Sequence, residues 1–290
     1  MRQFAKWLLI VVACVAMGGA RAEGASPPGR LVVVVAAVQS RPGGERDAAV
    51  EVIAGVIKGR GWSKSEQVGP LLKRGDRFDL YVRDPSGVVV GEVELSDNGS
   101  GPSEEWGGWG WQFKGRLSKA FGASAQFIGV WRASDSPAPK WVAWKEVGRE
   151  NSTYKAVISK WLQSRGIPRR ECAETWVWQI VKADLNGDGR DEVLMSFHSP
   201  GSYLFNADHT EKYRYSYLLM RYVPGKSKRV KTVVLDTDFS IHTVIGLCDL
   251  DGDGWAEVIT ENGGEDYGDT LLYHWNGKQF QLAGHVGAGL

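Results

Sequence analysis

Two acidic segments with the same pattern, each lying between segments typical of β-strands, constrain the fold of this chain most strongly. They are Asp184-Leu185-Asn186-Gly187-Asp188-Gly189-Arg190-Asp191-Glu192 and Asp249-Leu250-Asp251-Gly252-Asp253-Gly254-Trp255-Ala256-Glu257, and they begin 65 residues apart. Both carry carboxylate or amide side chains at positions 1, 3, 5 and 9, and glycine at positions 4 and 6. Glycine permits a tight bend that a Cβ would resist. A complex loop that recurs in this way indicates a tandem duplication.

The segments around the two loops predict two units of four short strands each. The predicted strands of the first unit are 176–183, 192–197, 215–223 and 230–235, and those of the second are 242–248, 257–261, 270–275 and 280–283. In both units the acidic loop joins the first strand to the second. We therefore predict an all-β repeat domain over residues 151–290, with units at about 170–238 and 239–290.

The side chains of the two loops have the character of a calcium site. Alternate positions in a tightly wound loop direct their oxygens towards one point, and a ring of hard oxygen ligands suits Ca²⁺ better than Mg²⁺. The carbonyl of position 7 and water would complete the coordination. The predicted ligands are Asp184, Asn186, Asp188, Glu192 and the Arg190 carbonyl in the first loop, and Asp249, Asp251, Asp253, Glu257 and the Trp255 carbonyl in the second.

The two loops differ in charge. The first has three carboxylates and an amide among these side chains, whereas the second has four carboxylates. Four converging negative charges repel one another more than three when no metal is present. We therefore expect the second loop to depend on Ca²⁺ more strongly than the first.

An EF-hand loop opens with the same residues, but the rest of its pattern is missing here. It needs a bidentate carboxylate at position 12 and then a helix. Position 12 is Met195 in the first copy and Thr260 in the second, and both lie in strand-like segments. The EF-hand interpretation is therefore rejected.

The motifs DLNGDGRDEV and DLDGDGWAEV, each placed between strands, resemble the FG-GAP/VCBS repeats of integrin-type β-propellers and of many bacterial exported proteins. The resemblance covers about residues 170–290. It implies propeller-blade-like four-stranded units, each with a structural Ca²⁺ at the turn of the blade. Full propellers have about four to eight blades. Because two such units are evident, we expect something other than a complete propeller.

The sequence of the N-terminal half predicts a mixed α/β domain over residues 23–150. The fold class expected for the whole chain is therefore an α+β region followed by all-β repeats. A helix is predicted at 46–58 from the spacing of its apolar residues. The other predictions are strands at 31–38, 127–132 and 141–147, a hairpin of 78–82 with 88–95, a loop over 96–110, and a helix at 154–165 that ends at Gly166.

Residues 1–22 have the features of a signal peptide. Arg2 and Lys6 form a basic start, residues 7–17 are apolar, and residues 20–22 match the small-residue cleavage pattern. The apolar stretch is shorter than a stable membrane span requires. We therefore expect cleavage after this motif, a secreted or periplasmic location, and no transmembrane segment in the mature chain.

The composition narrows the classes of partner. Hydrophobic residues make up 43% of the chain, which predicts a packed core rather than disorder. Removal of residues 1–22 would leave 32 basic and 34 acidic residues. This near-neutral balance points to neither nucleic acid nor an anionic membrane surface. A protein or glycan ligand is the expected kind of partner.

The three cysteines allow few arrangements. Cys14 lies in a segment similar to a lipoprotein processing box, but the apolar stretch before it is short, so lipid anchoring there is the less favoured alternative. Cys172 and Cys248 would remain after cleavage, either as one disulfide or as two buried thiols. Neither has a Cys or His at ligand spacing, so no zinc site is expected.

These observations favour an exported calcium-binding protein that acts as a binding or scaffolding module. The alternative is a hydrolase or a glycan-binding protein whose site lies in the N-terminal half. Trp106, Trp109 and Trp111 would form a sugar platform if exposed, although indole rings more often pack over a sheet. Glu104 and Glu105 would suit a hydrolase only with a suitable carboxylate separation. No nucleophile motif supports an enzyme, so no catalytic residue is predicted.

Overall fold

The structure is a computed structural model that describes residues 11–13, 31–38, 47–57, 61–82, 89–101, 111–119, 126–132, 139–200, 215–225, 227, 229–237, 241–263 and 267–289. These residues are mostly β, and their strands form three antiparallel sheets. One sheet belongs to the N-terminal half and the other two belong to the repeats.

The N-terminal sheet has the strand order β1-β2-β8-β5-β6-β7-β3-β4. These strands are β1 Val11–Ala13, β2 Leu31–Val38, β3 Asp47–Ile57, β4 Gly61–Lys64, β5 Arg77–Val82, β6 Val89–Leu95, β7 Gln112–Leu117 and β8 Gln126–Arg132. The sheet curves until β2 meets β3 at Val38 and Ala48, which gives a barrel-like closure. A short helix, α1 (Ser65–Val68), and a 3-10 turn (Gly69–Leu71) follow β4.

The predicted helix at 46–58 is wrong, because this segment is strand β3. Val50, Val52 and Ala54 alternate along it and are fully buried in the N-terminal core. Ile53, on the opposite face, is also buried, and its carbonyl lies against Gly284 of the second repeat. A strand covered on both faces has a nearly continuous apolar sequence, which matches helical spacing equally well. The mixed α+β character expected for the N-terminal half is therefore not confirmed.

Three other predictions for the N-terminal half are confirmed. Strand β2 has the predicted bounds, β8 lies within one residue of its prediction, and β5 pairs with β6 as the predicted hairpin. The turn of that hairpin and most of the predicted loop, 102–110, lie outside the described residues. The strand predicted at 141–147 is instead two short strands, β9 (Lys140–Trp141) and β10 (Trp144–Glu146).

Each repeat is a four-stranded meander, as predicted. The first comprises β11 Trp176–Ala183, β12 Glu192–His198, β13 Ser216–Tyr222 and β14 Lys231–Asp236, and the second comprises β15 Ile241–Asp249, β16 Glu257–Gly263, β17 Tyr267–Trp275 and β18 Phe280–Gly289. A fifth strand completes each sheet, because β10 pairs with β11 and β9 pairs with β15. The segment before the repeats therefore joins the two sheets.

Helix α2 (Ser152–Ser164) confirms the helix predicted at 154–165. Asn151 caps it by accepting hydrogen bonds from the backbone N–H groups of the second and third helical residues. Gly166 follows its end with a φ of 88°, the left-handed conformation that favours glycine. A second helix, α3 (Arg169–Ala173), was not predicted.

The elements stack in layers in which the second repeat is central. One face of its sheet packs with the N-terminal sheet around Ile259 and Leu272. The other face packs with the first repeat around Leu247 and Val258. The far face of the first repeat is covered by the buried residues of α2 and α3. The second repeat is thus enclosed between two other sheets, whereas the first has a sheet on one side and helices on the other.

The two cysteines outside residues 1–22 decide one further prediction. Cys172 and Cys248 are free, buried thiols that lie in different core clusters, which selects the second of the two alternatives. None of the helices in the described part of the chain is long and apolar enough to cross a membrane.

Candidate metal centres in the two acidic loops

The two acidic loops occupy equivalent places, each between the first and second strands of its repeat. The first runs from the end of β11 to the start of β12, and the second from the end of β15 to the start of β16. The glycines at positions 4 and 6 have positive φ in both, namely 70° and 83° for Gly187 and Gly189, and 79° and 91° for Gly252 and Gly254. Side chains with a Cβ rarely adopt this conformation, which explains the glycine pattern.

The first loop is held by hydrogen bonds from its own backbone to its acidic side chains. The Asp184 carboxylate accepts the N–H of Asp188 at 3.0 Å and of Gly189 at 2.8 Å. Asn186 Oδ1 also accepts the Asp188 N–H, at 2.9 Å, and Asp188 Oδ1 accepts the N–H of Arg190 at 3.0 Å. The side chains at positions 1, 3 and 5 are thereby turned towards the inside of the loop.

The second loop has a similar set of backbone-to-side-chain hydrogen bonds, although its position-1 aspartate accepts from position 4. Asp249 Oδ1 accepts the N–H of Gly252 at 2.8 Å, and Asp251 Oδ1 accepts the N–H of Asp253 at 3.1 Å. Asp253 Oδ1 accepts the N–H of Trp255 at 2.7 Å. The residues at position 7, Arg190 and Trp255, were predicted to contribute carbonyl oxygens, and their N–H groups anchor the position-5 carboxylates.

The glutamate at position 9 is buried in both loops and reaches back to position 2. Glu192 Oε2 accepts the N–H of Leu185 at 2.8 Å, and Glu257 Oε2 accepts the N–H of Leu250 at 2.7 Å. Both glutamates open the second strand of their repeat, where they are 2% and 0% exposed. A charged side chain so deeply buried requires compensation by an opposite charge or by hydrogen bonds.

The second oxygen of these glutamates distinguishes the two loops. In the first loop, the Asn186 side-chain amide donates to Glu192 Oε1 at 3.2 Å. In the second loop, Glu257 Oε1 is buried and has no hydrogen-bond partner in the described part of the chain. Oxygens of Asp249, Asp251 and Glu257 lie within 4.8 Å of one another. Within the described residues, this is the one group of three or more acidic, His or Cys side chains that converges so closely.

In both loops, the surroundings of the buried glutamate raise its pKa and so disfavour its ionised form in the absence of a cation. Burial raises the pKa of Glu192 to about 7; the Leu185 N–H opposes this shift, and the Asp188 and Asp184 carboxylates add to it. Burial likewise raises the pKa of Glu257 well above its usual value, with the Asp251 carboxylate the next cause. A bound cation would reverse these effects by attracting the charged form.

Two aspartates of the second loop also have raised pKa values. Burial raises the pKa of Asp249 and of Asp253, and in both cases the Asp251 carboxylate adds to the shift. The second loop therefore contains the oxygen ligands that a hard divalent cation prefers, and these carboxylates are close enough to repel one another. Asp253 lies outside the group of three converging carboxylates, and the predicted ligands of the first loop do not form such a group.

The second loop also has contacts with residues outside it that the sequence did not predict. The Trp62 indole of β4 donates its Nε1–H to Asp251 Oδ2 at 3.0 Å. The Trp255 ring stacks on Trp275, with centroids 4.4 Å apart, and meets Tyr222 of the first repeat edge-on at 6.1 Å. No sequence spacing signals these contacts, because their partners are distant in the chain.

The two loops also touch each other. The Ala256 N–H, at position 8 of the second loop, donates to the Leu185 carbonyl, at position 2 of the first, at 2.7 Å. Leu185 and Ala256 are both almost fully buried, so this bond is shielded from water. The two predicted calcium sites are therefore parts of one hydrogen-bonded assembly.

The tryptophan platform of the alternative interpretation receives no support from the one member that the structure describes. Trp111 is half-buried against the N-terminal core, and its ring lies 6.2 Å from that of Phe113. Trp106 and Trp109, and also Glu104 and Glu105, lie outside the described residues.

No protein-family model, curated protein or solved structure matches this chain. The functional argument therefore depends on the geometry of the two loops.

Proposed function

We propose that this chain is an exported calcium-binding repeat protein in which Ca²⁺ is structural, and that it acts as a binding or scaffolding module. The two acidic loops would each hold one ion through the ligands predicted from the sequence. The resemblance of the loop motifs to FG-GAP/VCBS repeats supports the same assignment, and the features of residues 1–22 support export.

The observation that carries the proposal is the state of Glu257. Its Oε1 is buried without a hydrogen-bond partner among the described residues, and a carboxylate oxygen of Glu257 lies within 4.8 Å of oxygens of Asp249 and Asp251. An unsatisfied, buried carboxylate oxygen beside like charges is costly. A divalent cation at this point would satisfy it and neutralise the repulsion. Oxygen ligands alone, without His or Cys, favour Ca²⁺ over transition metals.

The size of the effect is consistent with a structural role. At free Ca²⁺ ten- to a hundredfold above Kd, each site would stabilise the folded chain by about 1.4–2.7 kcal/mol. A typical domain has a net stability of about 5–15 kcal/mol. Calcium would therefore supply a substantial fraction of the stability of the repeats.

The scaffolding role is supported by where the ions would act. The loops lie at one end of the layered sheets, and the second loop contacts the N-terminal sheet and the first repeat. Ions there would fix the relative positions of the layers and so present a rigid surface to a protein or glycan ligand. The proposed cleavage after residue 22 would remove only the edge strand β1 from the N-terminal sheet.

Calorimetric titration of the mature chain with CaCl₂ tests the proposal directly. We expect two bound ions in the wild type, one in Asp184→Ala, one in Asp249→Ala, and none in the double variant. Asp191→Asn is the matched control. Asp191 lies in the first loop and carries the same charge, but it forms an ion pair with Lys182 instead of facing the loop interior.

Uptake of two ions by the control and loss of binding in the double variant would support the proposal. A wild-type chain that is folded, as shown by circular dichroism, and takes up no Ca²⁺ at millimolar concentration would overturn it.

A further inference from the structure

A side-chain hydrogen bond joins the N-terminal sheet to the second acidic loop. Trp62 Nε1 donates to Asp251 Oδ2 at 3.0 Å, while Asp251 Oδ1 accepts the N–H of Asp253 at 3.1 Å. Both oxygens of this carboxylate are therefore oriented, one from inside the loop and one from another sheet. Asp251 is also one of the three carboxylates that converge in the second loop.

The Trp62 indole is held firmly enough to orient its partner. Its backbone pairs with Val56 in the β3–β4 hairpin. Its ring packs against the N-terminal core and lies 5.8 Å from the ring of His274, in strand β17 of the second repeat. The indole thus spans the boundary between the N-terminal sheet and the second repeat, with its N–H directed at the loop.

We infer that Trp62 is a positioning residue for the calcium ion of the second loop, and that this ion in turn holds the N-terminal sheet against the repeats. The inference rests on the proposed function, because it requires Ca²⁺ at the second loop. Hydrogen bonds to the ligands of a metal fix their orientation. Two binding events that share one contact are linked, and the linkage is equal in both directions.

The structure also specifies how the linkage works. If the N-terminal sheet separates from the second repeat, Asp251 loses its outer donor and the orientation of one oxygen. Calcium binding then has to order that carboxylate, which weakens affinity. Conversely, a bound ion fixes the orientation of Asp251, so that its Oδ2 stays in place to accept from Trp62. The first loop is the internal comparison, since its equivalent residue, Asn186, bonds to Glu192 of the same loop.

Calorimetry on Trp62→Phe tests the first half of the inference. The substitution keeps an aromatic ring in the core and removes the N–H donor. Measured in an Asp184→Ala background, so that only the second loop binds Ca²⁺, we expect affinity to fall by about tenfold, the lower end for loss of such an outer contact. The first loop, measured in an Asp249→Ala background, serves as the reference and should change by much less.

Trp178→Phe is the matched control. Trp178 also donates its indole N–H across a sheet boundary, to Thr243 Oγ1 at 2.8 Å. That bond lies near the starts of β11 and β15, whereas the acidic loops come after the ends of these strands. We expect this variant to bind Ca²⁺ at the second loop as the unsubstituted chain does.

Hydrogen exchange on the wild-type chain tests the second half and requires no variant. Calcium should slow exchange of the backbone amides of β4 and of the part of β18 that packs against it, relative to chelator. Trp62→Phe should abolish most of that calcium-dependent protection. If Trp62→Phe does not fold, the wild-type exchange data still test whether the ion holds the N-terminal sheet against the repeats.

The outcomes separate this inference from the proposed function. No Ca²⁺ uptake by the wild type would overturn both. Normal uptake with unchanged second-loop affinity in Trp62→Phe, or with exchange at β4 that does not respond to calcium, would overturn the role of Trp62 and leave the proposed function standing.

Discussion

The two acidic loops share one sequence pattern but differ at position 3, and we expect this difference to change how strongly each loop depends on the proposed cation. In the first loop, the Asn186 amide donates to Glu192, so both oxygens of the buried glutamate have partners. In the second loop, position 3 is Asp251, whose side chain has no N–H to donate, and Glu257 Oε1 has no partner in the described residues. One amide nitrogen in place of an oxygen thus decides whether the buried glutamate has a donor for its second oxygen, as in the first loop, or lacks one within the described residues, as in the second.

The surroundings of the two loops differ too, and those of the second loop are the more buried. The first loop lies near the outside of the stack, and its position 8, Asp191, is exposed and forms an ion pair with Lys182. The second belongs to the central sheet, and its position 8, Ala256, is fully buried and donates to the first loop. The more buried copy has more negative charge, which favours ions more strongly because the interior screens charge less than water does. We therefore expect position in the stack, as well as sequence, to set the dependence of each loop on the proposed Ca²⁺.

Exchanging the position-3 residues should have the largest effect. Asp251→Asn replaces an oxygen that accepts from Trp62 Nε1, which opposes any gain of stability in chelator. It also supplies a donor for Glu257 and removes one negative charge, so the stabilisation of the protein by calcium should shrink. Asn186→Asp should do the reverse in the first loop. A tenfold change in Kd corresponds to about 1.4 kcal/mol, or about 3–6 °C in the calcium-induced shift of melting temperature. Thermal melts in calcium and in chelator measure both shifts.

The two exchanges control each other, since they make opposite changes at equivalent positions. The double exchange should restore a total calcium-induced shift close to that of the wild type. If both single variants show the same calcium-induced shift as the wild type, the difference at position 3 does not determine metal dependence.

Coupling between the loops should have the next largest effect. Leu185 is held on one side by Glu192 and on the other by the Ala256 N–H, and Ala256 directly precedes Glu257. An ion in either loop orders this shared path, so the two ions should bind cooperatively. We expect Asp184→Ala to weaken binding at the second loop about fivefold, equivalent to about 1 kcal/mol of coupling. Calorimetry on the single variants, compared with both stepwise constants of the wild type, measures it.

Reciprocity supplies the check on this prediction. Asp249→Ala should weaken binding at the first loop by the same factor, since linkage is symmetric for binding free energies. Asp191→Asn, which removes a charge from the first loop but no predicted ligand, should leave the second loop nearly unchanged. Independent sites would instead give identical constants in the wild type and in the variants.

The sequence predicted the repeats well because their signals are local. All eight strands of the repeats follow from apolar segments bounded by turn residues, and α2 follows from its periodicity and Gly166. The helix predicted in place of β3 failed because burial on both faces removes the alternation that identifies a strand. The division of 141–147 into β9 and β10 depends on pairing with β15 and β11, which local sequence does not encode.

The candidate site divides in the same way. Its ligand pattern was readable from spacing, because nine consecutive residues supply it. The Trp62–Asp251 bond and the Ala256–Leu185 bond were not readable, because each joins residues that only the packing of whole sheets brings together. A stronger dependence of the second loop on Ca²⁺ is predicted from charge count and stays a prediction. The unpaired oxygen of Glu257 within the described residues is a physical argument in its favour.

The smallest effect should come from the ion pair beside the first loop. Lys182 Nζ lies 3.2 Å from Asp191 Oδ2, with the two side chains 35% and 51% exposed. Partly exposed pairs contribute little, because solvent screens the attraction and holding two flexible side chains costs entropy. Lys182→Ala should therefore lower the free energy of unfolding by about 0.5 kcal/mol or less, equally in calcium and in chelator. Urea denaturation in both conditions measures this change. A larger loss confined to calcium would mean that the outer side of the first loop also shapes its metal site. The difference in burial between Asp191 and Ala256 would then say less about how the two loops differ in metal dependence.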